Sequence, residues 1–306
     1  KTSKLSNEEI QFKKNFLDNF KKRGFPNRKQ EDWKFLDISQ IIKKNISNLS
    51  FFNDYSQSNK IDPSIFVDGL EHNKIIFING RIEKIDFNFE DQNKIEIIDE
   101  TKKDVPFDYE NSLIDLNSAF TDKVFKILVK KDYSLKKPLI IYHSTNDSIK
   151  STNINLRLDF ELGENSCLKL IDYFANKTTK NFINIFYNFN LEKDSILKNY
   201  KIDKFRNDNL TYSFNNIEQG NNSVSETFIL STGSDYLKNE INCNLNGEYS
   251  SAFINGIFSL KENQQHEIRT TINHLVENTK SYQLIKSVLG KNSKSAYQGR
   301  IFVNSK

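Results

Sequence analysis

The chain has 306 residues, 37% hydrophobic and 27% charged, enough to bury a large core, and its 25 Phe and 12 Tyr exclude a disordered polar tract. No run of eighteen apolar residues occurs, so no helical membrane span is expected. The 44 basic residues are nearly balanced by 40 acidic ones, only 7 are Arg, and they form short pairs rather than a stripe, which argues against a nucleic-acid partner.

The first hundred residues read as mixed, with helix leading. Ser6 and Glu9 stand at capping-box spacing, and Ile10, Phe16, Leu17 and Phe20 follow at helical intervals until Gly24-Phe25-Pro26 stops the run. Asp32 to Ile42 predicts a second short helix, with Trp33, Leu36 and Ile41 on its apolar side. Lys74 to Ile82 predicts a β-hairpin whose turn, Asn79-Gly80, tolerates positive φ. Ile98 to Phe120 is weakly patterned, as helix or loop.

From about Phe125 the pattern changes to alternation. Ile154–Leu162 and Phe182–Leu191 alternate apolar and polar residues, and weaker versions recur at Tyr212–Ile217, Leu237–Leu245 and Glu267–Leu275, each predicting a strand with one buried face. Polar turns end in Ser166, Ser195, Ser223 and Ser250, spaced 29, 28 and 27 residues apart. A strand–turn–strand unit of that length is expected of a stacked β-solenoid, whose coils bury their inward side chains only against one another. A β-sandwich also gives alternating strands but need not hold a constant two-strand period, so the solenoid is favoured.

Few residues suggest chemistry. No phosphate-binding loop, dinucleotide fingerprint or nucleophile elbow is present. Cys167 and Cys243 are too few and too far apart for a disulfide framework or a four-thiolate site within this chain. Cys243 shares parity with Ile241 and Leu245 and is expected to be buried, while Cys167 shares parity with Lys169 and is expected to be more exposed. His266 and His274 lie eight positions apart on one predicted strand, about 26 Å if extended, so they cannot share a metal ion. Their parity with Ile268 and Ile272 predicts hydrogen-bonded, partly buried imidazoles; a place at an oligomer interface is the functional alternative. No catalytic, cofactor-binding or metal-binding residue is assigned.

Two regions resemble the SufB/SufD family of iron–sulfur cluster assembly scaffolds. Gly24-Phe-Pro-Asn-Arg-Lys-Gln-Glu-Asp-Trp-Lys-Phe35 is similar to the signature Gly-Leu-Pro, one or two basic residues, Glu-Asp-Trp-Lys-Tyr-Thr, with Gly24, Pro26, Glu31, Asp32, Trp33 and Lys34 matching. This string favours the SufD branch over SufB. A second stretch, Tyr236 to Val303, is similar to the family core through Gly256, His266, His274, Ser281, Gln283, Lys286 and Gly299; Glu267-Ile268 stands where many relatives carry an Asp.

The resemblance implies a mainly β fold. A right-handed β-helix core (111–306) would follow a small helix-led mixed domain (1–110). It further implies a non-catalytic scaffold that pairs with SufB and the SufC ATPase, with no cofactor held by this chain alone and a transient iron–sulfur cluster at the level of the complex. The family's C-terminal helical domain is absent from these residues. The chain contains no Met and stops abruptly at Ile301-Phe-Val-Asn-Ser-Lys306, so an incomplete copy is expected. The polar start has no apolar leader, which makes the cytoplasm the expected location. From another class, a β-helical carbohydrate-active enzyme resembling polysaccharide lyases is the alternative. Outward positions near the repeat strands are mostly Asn, Ser, Thr and Lys rather than acidic clusters, which argues against it.

Overall fold

The computed structural model describes residues 5–51, 61–100, 110–146, 148–175, 180–203 and 206–304. Residues 1–4 of the polar start, the middle of the Ile98–Phe120 stretch and the last two residues of the abrupt end fall outside these.

Helix α1 (Asn7–Arg23) begins at the expected capping box, where Ser6 Oγ accepts from the Glu9 amide, and ends at Gly24 with φ +68°. The second predicted helix is broken. Glu31–Trp33 form one 3-10 turn, α2 is only Ile38–Ile41, and Ile42–Ile46 wind into a π-type turn. The Lys238 ammonium takes up the Asp32 carbonyl that a continuous helix would need, and Asp37 restarts the chain by capping the Gln40 amide. The hairpin β1 (Asn73–Ile78) and β2 (Arg81–Asp86) is present, with Asn79 and Gly80 at positive φ. The Ile98–Phe120 stretch resolves into the end of strand β3 (Ile95–Glu100) and helix α3 (Ser112–Phe120). Pairing with β4 makes the first part a strand, which a weak local pattern could not reveal.

Thirteen further strands follow: β4 (Val124–Val129), β5 (Leu139–Ser144), β6 (Asn153–Leu162), β7 (Cys167–Phe174), β8 (Phe182–Leu191), β9 (Ile196–Asp203), β10 (Asn207–Gln219), β11 (Val224–Ser231), β12 (Ser234–Leu245), β13 (Ser251–Leu260), β14 (Gln265–His274), β15 (Lys280–Leu289) and β16 (Lys294–Val303). Odd-numbered strands from β5 to β15 stack in parallel in one sheet, which β1 and β2 extend. Even-numbered strands from β4 to β16 stack in the other, which β3 extends. The result is a β-solenoid in which β5 to β16 form six two-strand coils. Strands from before residue 110 belong to the same hydrogen-bonded sheets, since β1 pairs with β5 and β3 with β4.

The repeated turns explain the regular spacing. In each, the residue before the closing Ser or Thr takes the left-handed conformation: Asn165, Asp194, Asn222, Tyr249 and Asn278 all have φ between +56° and +62°. Ser195, Ser223 and Ser250 then donate both backbone N–H and hydroxyl to the carbonyl three residues back. Successive turns also bond along the axis, for example the Asn165 amide to the Lys193 carbonyl and Asp194 to Asn221, each at 2.9 Å. A Cβ at Gly247 would lie 2.1 Å from the Asn221 nitrogen, so glycine is required for the turns to nest.

The bore is lined by Leu156, Leu158, Phe160, Leu168, Leu170, Ile185, Phe189, Leu197, Ile241, Cys243 and Ile268 among others, all buried. One parity reading is corrected. On β10 the apolar members Tyr212 and Phe214 face outward, beneath Trp33, α2 and α3, while Thr211, Ser213 and Asn215 share the register of the inward-facing Ile183, Ile185 and Tyr187. Alternation shows that a strand has two faces; which one turns inward depends on what covers the other.

Two tests follow from the coil geometry. Tyr249 is 60% exposed and is the one residue in its series of turns without a short side chain suited to positive φ. Tyr249→Asn is therefore expected to raise unfolding free energy by about 1 kcal/mol, read as a higher urea midpoint; an unchanged or lower midpoint would refute the strain argument. The last strands, β15 and β16, each pair on one side only and expose Tyr282, Leu284, Val288, Leu289, Ile301, Phe302 and Val303. The 306-residue chain is expected to self-associate in sedimentation velocity, and Leu289→Lys with Val303→Lys is expected to reduce that association. A parent that sediments as a clean monomer would show that this edge is already satisfied.

Candidate functional site

The N-terminal string docks on the outer face of the even-numbered sheet. Gly24 turns the chain out of α1, and buried Pro26 gives its carbonyl to the Ser39 amide, bringing Glu31–Trp33 over β10, β12 and β14. Trp33 is 5% exposed; its ring centroid lies 5.4 Å from that of Tyr212, and the Lys238 ammonium sits 4.3 Å from it on the other strand. Lys238 is fully buried and reaches Glu267 at 2.6 Å and Glu240 at 3.3 Å. Lys238 and Glu267 are register partners, as are Glu240 and Arg269, so opposite charges lie side by side across the ladder. Burial pushes the Glu267 carboxyl above its ordinary range against the pull of Lys238, and the nearby Glu240 charge adds to the rise. Tyr212, raised well above its ordinary value by burial and by Glu240, donates to that carboxylate at 3.1 Å.

Asp32 completes the surface. Its Oδ1 is 2.7 Å from Arg269 and 3.1 Å from Arg300, and Glu31 stands 3.5 Å from the same Arg300 nitrogen. Lys34 instead lies over its neighbour, with its ammonium 5.5 Å from the Phe35 ring centroid. Through Lys238, which bonds both Glu267 and the Asp32 carbonyl, the second motif region is joined to the first.

The remaining motif residues disperse. His266 is buried in the bore, where Nε2 donates to the Ser234 carbonyl and Nδ1 accepts from the Ser231 hydroxyl at 2.8 Å. Half-buried His274 lies at the corner, bonding Thr279 at 2.7 Å and Ser281 at 2.9 Å. Gln283 accepts from Tyr297 at 2.5 Å and from Thr270 at the open end of the bore. A Cβ at Gly299 would come within 2.7 Å of the Tyr297 hydroxyl, and one at Gly256 within 3.0 Å of Ile285. Both glycines make room for neighbouring side chains. Lys286 is exposed on the outer face of β15.

The structure also reveals a buried cluster that motif reading missed. Asp172 lies at the centre of three groups in the bore: His143 Nε2, Lys201 Nζ and the Tyr187 hydroxyl each approach its carboxylate to 2.6 Å. His143 stacks between Phe77 and Phe174, and Lys201 lies 3.7 Å from the Tyr187 ring centroid. Burial alone would raise the Asp172 pKa, but Lys201 and His143 outweigh it and hold the carboxyl well below the usual range. Burial lowers Lys201 despite Asp172. A charged residue at the inward parity of β7 or β9 was the available sequence signal. The thiols behave as their parity predicts, with Cys243 buried and pushed up to about 12 by burial and Cys167 half-buried. Among the described residues, no group of three or more His, Cys, Asp or Glu side chains is placed to hold a metal ion.

Two buried groups in the bore oppose each other in pH. Burial raises Asp203 to about 6 although its carboxylate accepts the Ser234 amide at 2.8 Å; burial also lowers His266 to about 4. The raised Asp203 contributes stability present below about pH 3.8 and lost as pH rises through about 6; the lowered His266 contributes stability present above about 6.5 and lost as pH falls through about 4. Each linkage amounts to about 3 kcal/mol, so they nearly cancel between pH 7 and 3.5. Relative to the parent, Asp203→Asn is expected to lose about 3 kcal/mol more on acidification, and His266→Gln about 3 kcal/mol less. Urea titrations across this range measure both slopes, and parallel curves for all three proteins would contradict the assignment.

The family model described as SUF system FeS cluster assembly, SufBD core domain, matches residues 143–306, more than half of the chain. The iron–sulfur cluster assembly protein SufD of Escherichia coli strain K12 is 22% identical over 297 residues, covering 94% of this chain and 68% of that protein. The matched core takes in the end of β5 and every strand from β6 to β16, and the alignment to SufD, at 94% of this chain, also spans the Glu31–Trp33 string docked upon them. On that match and that architecture, the chain belongs to the SufBD core family of the SUF iron–sulfur cluster assembly system.

Proposed function

We propose that this chain is a non-catalytic scaffold subunit of SUF iron–sulfur cluster assembly, acting in the cytoplasm by pairing with SufB and the SufC ATPase. The observation that carries this reading is the match of the SufBD core model to the stacked coils, a rigid parallel stack whose strand edges and outer faces suit docking of other subunits. The cluster is cargo of the assembled complex rather than a group resident on this chain. Its buried ionisable groups serve as structural pairs: Asp172 with Lys201 and Lys238 with Glu267 are desolvated and lie 2.6 Å apart in each pair. Among the described residues, no helix is long and apolar enough to cross a membrane.

Co-expression of tagged chain with SufB and SufC tests the proposal. A complex that survives purification at micromolar concentration is the expected result. Absence of any complex would overturn the pairing with SufB and SufC, and turnover of polyuronates with added calcium would replace the scaffold reading with the carbohydrate-active one.

A further inference from the structure

The Glu31–Asp32 carboxylates touch residues far from them in the chain. Asp32 Oδ1 bridges Arg269 on β14 and Arg300 on β16, two neighbouring strands, and Glu31 reaches Arg300 as well. Among the described residues, β16 pairs with β14. The string itself is anchored independently of these carboxylates, through buried Trp33, the Lys238 bond to the Asp32 backbone carbonyl and the Gln265 bond to the Phe35 carbonyl. A carboxylate on a firmly seated turn thus grips two neighbouring strands at once.

We infer that Asp32, assisted by Glu31, is a latch through which the N-terminal segment holds β16 in register on β14. It acts through Arg300 and is a positioning residue. Arg300 is 36% exposed on its side chain and Asp32 40%, so the grip is an accessible ion pair, modest in strength and weakened by salt. The latch governs order at β16 while leaving the coils beneath it intact. It accounts for both carboxylates of the Glu-Asp-Trp string: Trp33 seats the turn, and Glu31 and Asp32 use that seat to reach β14 and β16.

Hydrogen exchange of the purified 306-residue chain at low ionic strength tests this. Asp32→Asn keeps the backbone carbonyl that Lys238 uses. It is expected to speed exchange across Lys294–Val303 by roughly three- to fivefold, with β8 and β10 unchanged. Arg300→Gln is expected to give the same local effect, Asp32→Glu to restore the parent rate, and 1 M NaCl to bring the parent to the rate of Asp32→Asn. Trp33, the chain's single tryptophan, reports whether the string stays seated. Unchanged emission beside faster β16 exchange supports the latch. Should Asp32→Asn unseat the string or fail to fold, Arg300→Gln decides, because it leaves the string untouched. Parent-like β16 exchange in Arg300→Gln at low salt overturns the inference.

Discussion

Parallel stacking in constant register is the constraint on which the rest of this structure depends. A single coil has two short strands and no core of its own, so its inward side chains lose contact with water only when the next coil lies against them. Register therefore fixes what each side chain meets. From β6 through β16, along each sheet, position follows position without a slip, apart from one irregularity at the start of β10. A shift by one residue would exchange Ile183, Ile185 and Tyr187 with the outward set of β8. The nested turns prevent it, because their left-handed residues and serine closures permit one spacing, and Gly247 permits one approach distance.

Held in that register, charges become neighbours that sequence distance separates widely. Lys201 and Asp172 are opposite one another because β7 and β9 pair, and Lys238 meets Glu267 because β12 and β14 pair. Removing either partner of such a pair would leave a buried charge, at a cost of about 3–5 kcal/mol. The two clusters differ in position. Asp172 is enclosed by the bore, where its three partners satisfy it fully. Lys238 is on the outside of the sheet and owes its burial to the N-terminal string, whose Trp33 covers it with an aromatic face. The first cluster is buried by the solenoid itself; the second is set by strand pairing but buried by the N-terminal segment.

The outer face of a solenoid is open to water unless something covers it, and here different segments cover different rows. Trp33, Leu36, Ile38, Leu113 and Leu116 lie over Phe182, Phe186, Tyr212 and Phe214 on the even-numbered sheet. Ile65 lies over Ile76, Ile140 and Tyr142 on the other. This explains why the chain can afford apolar residues on both faces of β8 and polar ones inside β10. The covering segments and the coils form one packed body, and the open edge at β15 and β16 is where that cover ends.

The capping box at Ser6, the Asn79-Gly80 turn, the alternating strands and the near-constant serine spacing were all legible in sequence, because each rests on contacts within a few residues or on a period that stacking imposes. Buried Cys243 and the hydrogen-bonded His266 followed from parity alone. The continuity of Asp32–Ile42 as a helix, the strand at Ile95–Glu100 and the inward face of β10 did not, since each was decided by a partner elsewhere: Lys238 for the first, β4 for the second, the covering helices for the third. The Glu31–Asp32–Trp33 string could be recognised as a motif, but its chemistry could not be read there, because Arg269, Arg300 and Lys238 come to it from more than two hundred residues away. Local pattern determined that there would be coils; only their stacking determined which charges the coils bring face to face.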